Sequence, residues 1–240
     1  MSLNDFIVCE LYQNELKSSQ LNIAIVDLIS YPSSHKLFRF LRKVIFKLIT
    51  NFINSRSSHV IMKIYTRNGD KGETGLLYGG KVSKDSPLPE AYGTVDEAQA
   101  VLGLARTECE KGSDLENKVI HIERDLYVLM AELATDPEKQ DKLESGKNKV
   151  NKEMISSIEG FIDEITANFE LPKEFVLPGQ NRISALLDVA RTVVRRAERR
   201  TISCNLADSL SVAYLNRLSD LLWAMARWQE GESITSRSVK

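Results

Sequence analysis

The sequence predicts an all-α protein: an up-and-down five-helix bundle, entered through an irregular N-terminal segment rich in glycine. Two observations carry that expectation. Five stretches between Pro89 and Gln229 repeat apolar residues at the three- and four-residue spacing of a helix face. The stretches joining them are short and punctuated by proline, glycine and polar residues, as between antiparallel neighbours in a bundle. A third observation limits the class: 42% hydrophobic and 27% charged residues in a chain of 240 is ordinary globular composition.

Residues 1–61 read as an N-terminal extension, peripheral or poorly ordered, and 62–240 as the bundle domain, long enough to bury a core. No acidic residue occurs from Leu28 to Gly69, and "HKLFRFLRKVIFKLITNFI" mixes Lys and Arg with Leu, Phe and Ile. Three readings stand for this part: an extension outside the working domain, a mitochondrial transit peptide, or a membrane-surface helix. Asp5, Glu10, Glu15 and Asp27 count against a clean transit peptide. The expected compartment is the cytoplasm, with the mitochondrial matrix as the alternative. No run of 18 apolar residues appears, so no transmembrane span is expected.

From Met62, "MKIYT" is a short strand or an extended lead-in, followed by the glycine-rich "TRNGDKGETG" and then "LLYGGKVSKDSPLPE", which is loop chemistry. The first helix runs roughly from Pro89 to Cys109, with Val95, Ala98, Leu102 and Ala105 on one face. The second, roughly Leu115 to Ala134, carries Val119, Ile122, Leu126, Leu129, Met130 and Leu133. Polar Thr135–Lys147 is a loop. The third helix, roughly Asn151 to Asn168, has Met154, Ile158, Phe161, Ile162 and Ile165. "FELPKEFVLPGQNR" is a connector. The fourth helix runs roughly from Ile183 to Ser203 and the fifth from Leu206 to Gln229.

Composition excludes several chemistries. A net charge of −1 offers no general field for nucleic acid. Cys9, Cys109 and Cys204 are odd in number and far apart, which argues against a disulfide framework. His35, His59 and His121 show no ligand spacing, so neither a protein-built metal site nor a Ser–His–Asp triad is expected. Chemistry must fall to Arg, Lys, Asp, Glu, Asn and backbone amides, or to a bound cofactor.

Five stretches hold such residues. In "TRNGDKGETG", Gly69, Gly72 and Gly75 allow the backbone to turn its amides toward one point, while Thr66, Thr74, Arg67 and Lys71 add donors and charge. That suits a phosphate cradle; the competing reading is a flexible hairpin with solvated charges. It is not a Walker A loop, whose order of glycines and Lys is absent. On a helical wheel Arg191, Arg195 and Arg199 fall at about 0°, 40° and 80°, with Glu198 at about 340°, beside an apolar sector of Leu186, Ala190 and Val194. This stripe either grips phosphate or carboxylate or forms a solvated, salt-bridged face. In "AYGTVDEAQAVLG", Asp96 either orients an arginine or lies on the surface. In "YLNRLSDLLWAMAR", Asn216 and Asp220 share a face and meet either a ligand or neighbouring helices. Phe175 either walls a pocket or joins the core.

Taken in order, these stretches resemble the corrinoid adenosyltransferases, the ATP:cob(I)alamin adenosyltransferases of trimeric helical-bundle type. The family carries TRxGDxGxTGL, here "TRNGDKGETGL"; K-D, here Lys84-Asp85; E-A-x-G-T-x-D-E, here "EAYGTVDE"; F-x-L-P-G, here "FVLPG"; then "RRAERR" and "LNRLSD". The resemblance spans about Met62 to Arg227. It implies an enzyme that moves the 5′-deoxyadenosyl group from ATP to Co(I) of a corrinoid and releases triphosphate. It also implies Mg²⁺, cobalamin as the corrinoid, and a homotrimer with ATP at subunit interfaces. A reductase or an adenosylcobalamin-dependent enzyme is the expected further partner. By the same resemblance Thr66, Arg67, Gly69, Asp70, Lys71 and Gly72, with neighbouring Thr74 and Gly75, wrap the triphosphate together with Lys84. Arg195, Glu198 and Arg199, with Arg191, complete the site; Asp96 pairs with Arg195, Asn216 contacts the nucleotide, and Asp220 supports it. Phe175 packs at the corrinoid's lower face. Arg195, Asp96 and Phe175 are thus the expected catalytic residues. Two departures stand out: Glu73 replaces a small hydroxyl residue, and Gln180-Asn181 replace a small-residue run. Two other function classes compete: a non-catalytic ATP-binding helical trimer that senses or delivers a corrinoid, and an interaction bundle whose arginines dock an acidic partner.

Overall fold

The computed structural model describes Lys47, Tyr65 and residues 67–237. The expectations for the extension, for Met62–Ile64 and for Thr66 lie outside the described residues. Five α-helices follow a short hairpin: α1 Pro87–Thr107, α2 Asp114–Leu133, α3 Lys152–Asn168, α4 Arg182–Ile202 and α5 Ser211–Glu230.

Local chemistry sets most of the helix starts. Proline at the entry of α1 lacks only a hydrogen bond that the first turn does not make. The Ser113 hydroxyl accepts the Glu116 amide at 3.2 Å to begin α2, and the Asn151 carbonyl oxygen accepts the Met154 amide at 2.9 Å to begin α3. Asn181 and Ser184 form a reciprocal capping box at α4. Gly231, at φ 70°, ends α5 in a conformation that suits glycine.

The core is one cluster. Val95, Ala98 and Leu102 of α1, Val119, Ile122, Leu126 and Leu129 of α2, Ile158 of α3, Leu187 and Val194 of α4, and Leu215, Leu218 and Leu222 of α5 are fully buried. α4 packs along both α1 and α5; α1 also packs on α2, and α3 on α5. Glu90 with Arg200 and Glu97 with Arg196 make α1 and α4 antiparallel. Asn181 with Gln229 and Asp188 with Arg227 do the same for α4 and α5. α5 lies deepest, with Tyr214, Leu221 and Ala226 buried on different sides of it. The Tyr214 hydroxyl donates to Asp125 of α2 at 3.0 Å. Burial, and then the Asp125 charge, push that hydroxyl's pKa well above its usual range. Lys118 is buried between α2 and α3. Burial opposes its charge, but hydrogen bonds to Asp114 and Glu164 prevail and raise its pKa.

Three expectations need correction. The segment after the glycine turn is a two-stranded antiparallel hairpin, β1 Glu73–Gly75 and β2 Lys81–Ser83, with Thr74 opposite Val82. Strands of three residues are too short to show an alternating pattern. The loop after α2 contains a 3₁₀ turn at Pro137–Lys142. α5 begins at Ser211 rather than Leu206, because Asn205 and Asp208 adopt left-handed backbone at φ 49° and 54°. Among the described residues no helix is long and apolar enough to cross a membrane.

Candidate active site

Sequence-predicted residues gather in three places. The first is the turn before β1. The Asp70 amide donates to the Arg67 carbonyl at 3.3 Å and the Gly72 amide to the Gly69 carbonyl at 3.2 Å. The alternating amides, those of Gly69 and Lys71, meet no acceptor among the described residues. Gly72, at φ 82°, has the left-handed backbone that only glycine adopts without cost. The hairpin ladder continues past β1 and β2, with the Lys84 amide donating to the Gly72 carbonyl at 2.8 Å. This brings Lys84 back over the turn: a β-carbon on Gly69 would lie 2.8 Å from Lys84 Nζ. That ammonium and the one on Lys71 form no ion pair among the described residues. Asp85 accepts the Ser83 hydroxyl and braces the exit from β2. Thr74 is half-buried, whereas Glu73 and Gly75 point to the other face of β1 and are exposed. The extra carboxylate of Glu73 is therefore carried on the side opposite Thr74.

The second place is where α4 and α5 meet. Asn216 Nδ2 donates to Glu198 Oε1 at 3.0 Å. Arg195 and Arg199 are exposed next to Glu198 on α4; the Arg199 guanidinium donates to the Arg195 carbonyl at 2.9 Å, and the Arg195 side chain forms no ion pair among the described residues. Asp220, one turn beyond Asn216, accepts from Arg217 at 3.2 Å. The expected Asp96–Arg195 pair is not formed within the chain, where both residues are exposed. A one-residue step turns a helix by about 100°, so it is Arg196 and Arg200 that overlie α1 and take Glu97 and Glu90.

The third place is a cleft of about 560 Å³ lined by Phe175, Pro178, Arg191, Trp223, Arg227 and Arg237, among others. Phe175 is 88% exposed, so it is not a core residue. Its connector is held by the C-terminal segment: the Leu177 amide donates to the Ile234 carbonyl and the Ser236 amide to the Phe175 carbonyl, at 2.8 and 2.7 Å. Arg191, read from the wheel with Arg195, belongs to this cleft and donates to Asp188 at 2.9 Å. Asp188 also accepts from Arg227 at 2.5 Å, and Arg227 reaches Glu230 at 2.9 Å. Asp188, Trp223 and Arg227 were missed in the sequence; the arginine closing the apolar run "LLWAMAR" was the available signal. Asn181, one of the two departures, caps α4 and donates to the Gln229 carbonyl at 2.7 Å, so its job is structural.

Neither described cysteine is a ready nucleophile: burial pushes the Cys204 thiol up to about 11 and also raises that of Cys109. No cluster of three or more His, Cys, Asp or Glu suited to a metal ion occurs among the described residues.

A bundle of this order is the fold of the PduO-type ATP:corrinoid adenosyltransferases. A phenylalanine-to-alanine variant of the Lactobacillus reuteri protein, solved with cobalamin and ATP, matches with a TM-score of 0.64 and 31% identity, over 73% of this chain and 99% of that one. An arginine-to-lysine variant from the same organism, solved with ATP, matches with a TM-score of 0.63 and 29% identity, over 72% of this chain and 100% of that one. The chain belongs to the cobalamin adenosyltransferase family, whose model matches residues 64–229. Corrinoid adenosyltransferases from Bacillus subtilis and Citrobacter freundii are 40% and 41% identical over 172 and 171 residues, spanning 69% and 70% of this chain and 86% and 95% of theirs.

Proposed function

We propose that this chain transfers the 5′-deoxyadenosyl group of ATP to the Co(I) centre of a corrinoid, cobalamin being the expected substrate. The observation that carries the site assignment is the turn at Gly69–Gly72. There the Lys84 ammonium lies over Gly69, and the amides of Gly69 and Lys71 and that ammonium have no partner among the described residues, which suits an anion. With Arg67, Lys71, Thr74 and, in sequence, Thr66, this turn holds the triphosphate. Arg195 and Arg199, steadied by the Glu198–Asn216 bond, supply the remaining charge. Mg²⁺ bound with the triphosphate would need at most one carboxylate of this chain, such as Asp70, and would supply positive charge against the leaving anion.

The chemistry asks little of protein acids or bases. The cobalt electron pair forms the bond to C5′, the C5′–oxygen bond breaks, and triphosphate leaves with its electrons. The chain holds C5′ in line and neutralises the departing anion, which suits a site built of cations and amides. Phe175, exposed at the rim of the Arg191 cleft, is the wall for the corrinoid's lower face. Phe175 and Arg195 stand twenty positions apart, as do the phenylalanine and the arginine changed in the L. reuteri variants. Arg195 and Asp96, solvent-facing in the single chain, are expected to find each other across a seam between copies in a homotrimer.

An anaerobic assay with ATP, Mg²⁺ and chemically reduced cobalamin tests the reading. It expects the cobalt–carbon product, seen by its absorbance change, in step with one triphosphate per turnover. ATP binding without product would leave only a corrinoid sensor or carrier; no ATP binding at millimolar levels would end the assignment.

A further inference from the structure

The two ends of the β1–β2 hairpin are held by different parts of the chain. Its base is continuous with the Gly69–Gly72 turn and, through Lys84, with the start of α1. Its tip, residues 76–80, is fastened to the loop that follows α2. The Leu77 amide donates to the Ala134 carbonyl at 2.8 Å, and the Asp136 amide donates to the Leu77 carbonyl at 3.3 Å. Asn148 Nδ2 donates to the Tyr78 hydroxyl at 3.0 Å, and Lys142 Nζ lies 5.6 Å from the centre of the Tyr78 ring. The Asp136 carboxylate fits against Gly80, where a β-carbon would come within 2.8 Å of it.

Tyr78 has φ 63°, a left-handed conformation that an aromatic residue rarely adopts. Such backbone persists only where surrounding contacts over-determine it. Here two residues from one loop, Lys142 and Asn148, meet the face and the hydroxyl of a single half-exposed ring. Tyr78 is at the far end of the hairpin from the turn, about four strand residues or ~13 Å from Thr74, so it touches no phosphate.

The geometry points to Tyr78 as a positioning residue for the nucleotide: clamped by Asn148 and Lys142, it fixes the direction in which the hairpin presents the Gly69–Gly72 turn and Lys84. The loop after α2 is then the mount of the phosphate site, although none of its side chains belongs to that site. This rests on the phosphate reading of the turn.

The test is steady-state kinetics on the full chain with Tyr78→Gly, Tyr78→Phe, Asn148→Ala and, as reference, Lys84→Ala. Glycine removes the clamp and relieves the left-handed backbone, so the fold is not put at risk. Tyr78→Gly is expected to raise KM for ATP about tenfold, the scale of one hydrogen bond with one cation–π contact. It should leave kcat, KM for the corrinoid and the melting temperature unchanged. Tyr78→Phe keeps the ring over Lys142 and should fall between, as should Asn148→Ala. An unchanged KM for ATP in Tyr78→Gly, with Lys84→Ala impaired, would overturn the mount and spare the phosphate site. A parallel loss of kcat, both KM values and melting temperature would reduce Tyr78 to a structural role. An unimpaired Lys84→Ala would remove the phosphate reading and this proposal with it.

Discussion

A single hydrogen atom keeps Gly69 clear of the ammonium of Lys84. Alanine there would meet the far end of a flexible side chain, so the fold can absorb the change by swinging Lys84 aside. Gly69→Ala is therefore expected to leave the melting temperature within about 2 °C, in line with a shift well below 1 kcal/mol, while raising KM for ATP severalfold. A melting curve beside an ATP titration checks both halves. Phe175 makes the complementary point. By size and hydrophobicity it reads as core, yet it stands 88% exposed, because its place is set by the connector pairing with Ile234 and Ser236. Nothing in the residue itself foretells that. The wheel groups Arg191 with Arg195 and Arg199, since it counts angle around the axis and not distance along it. One turn nearer the start of α4, Arg191 faces a different cleft.

Among the elements, helices were legible because each has an apolar period, and three of them are announced a second time by a side-chain cap. Ser113, Asn151 and Asn181 mark their starts within a residue or two. The hairpin has neither signal, and α5 looked longer because Leu206 and Leu210 extend its apolar rhythm through two left-handed residues. The seam between α4 and α5 hides its most consequential feature in ordinary-looking letters. Arg227 is 1% exposed and relies on Asp188 and Glu230. Asp188→Ala leaves that buried guanidinium short of a partner and is expected to destabilise the fold by about 3–5 kcal/mol, the usual scale for halving a buried ion pair. Urea unfolding measures it. Arg191 would lose its anchor in the same variant, so KM for the corrinoid should rise even under conditions where the protein remains folded.

At the scale of the whole molecule, one chain carries the proposed phosphate-binding cations on separate elements. Lys84 follows the hairpin and Arg195 belongs to α4, and Asp96 and Arg195 are exposed with no ion pair among the described residues. Closure between copies is the arrangement proposed above, and it is open to a direct check. Lys84→Ala and Arg195→Ala chains, each inactive alone, are unfolded, mixed in equal amounts and refolded. If a site draws Lys84 from one copy and Arg195 from the next, random assembly into a closed ring restores about a quarter of full activity. If both come from one chain, mixing restores none.

The helix that fills the middle of the bundle is also the last of the five to leave the ribosome. α1, α2 and α4 can meet before it, but Leu215, Leu218, Leu222 and Met225 supply the apolar wall that their inner faces share. Until they arrive, a nascent chain carries an open trough of leucine and valine, the kind of surface that chaperones hold and proteases find. Arrival of this last helix, rather than any earlier docking, is thus the moment at which the bundle becomes safe from its own stickiness.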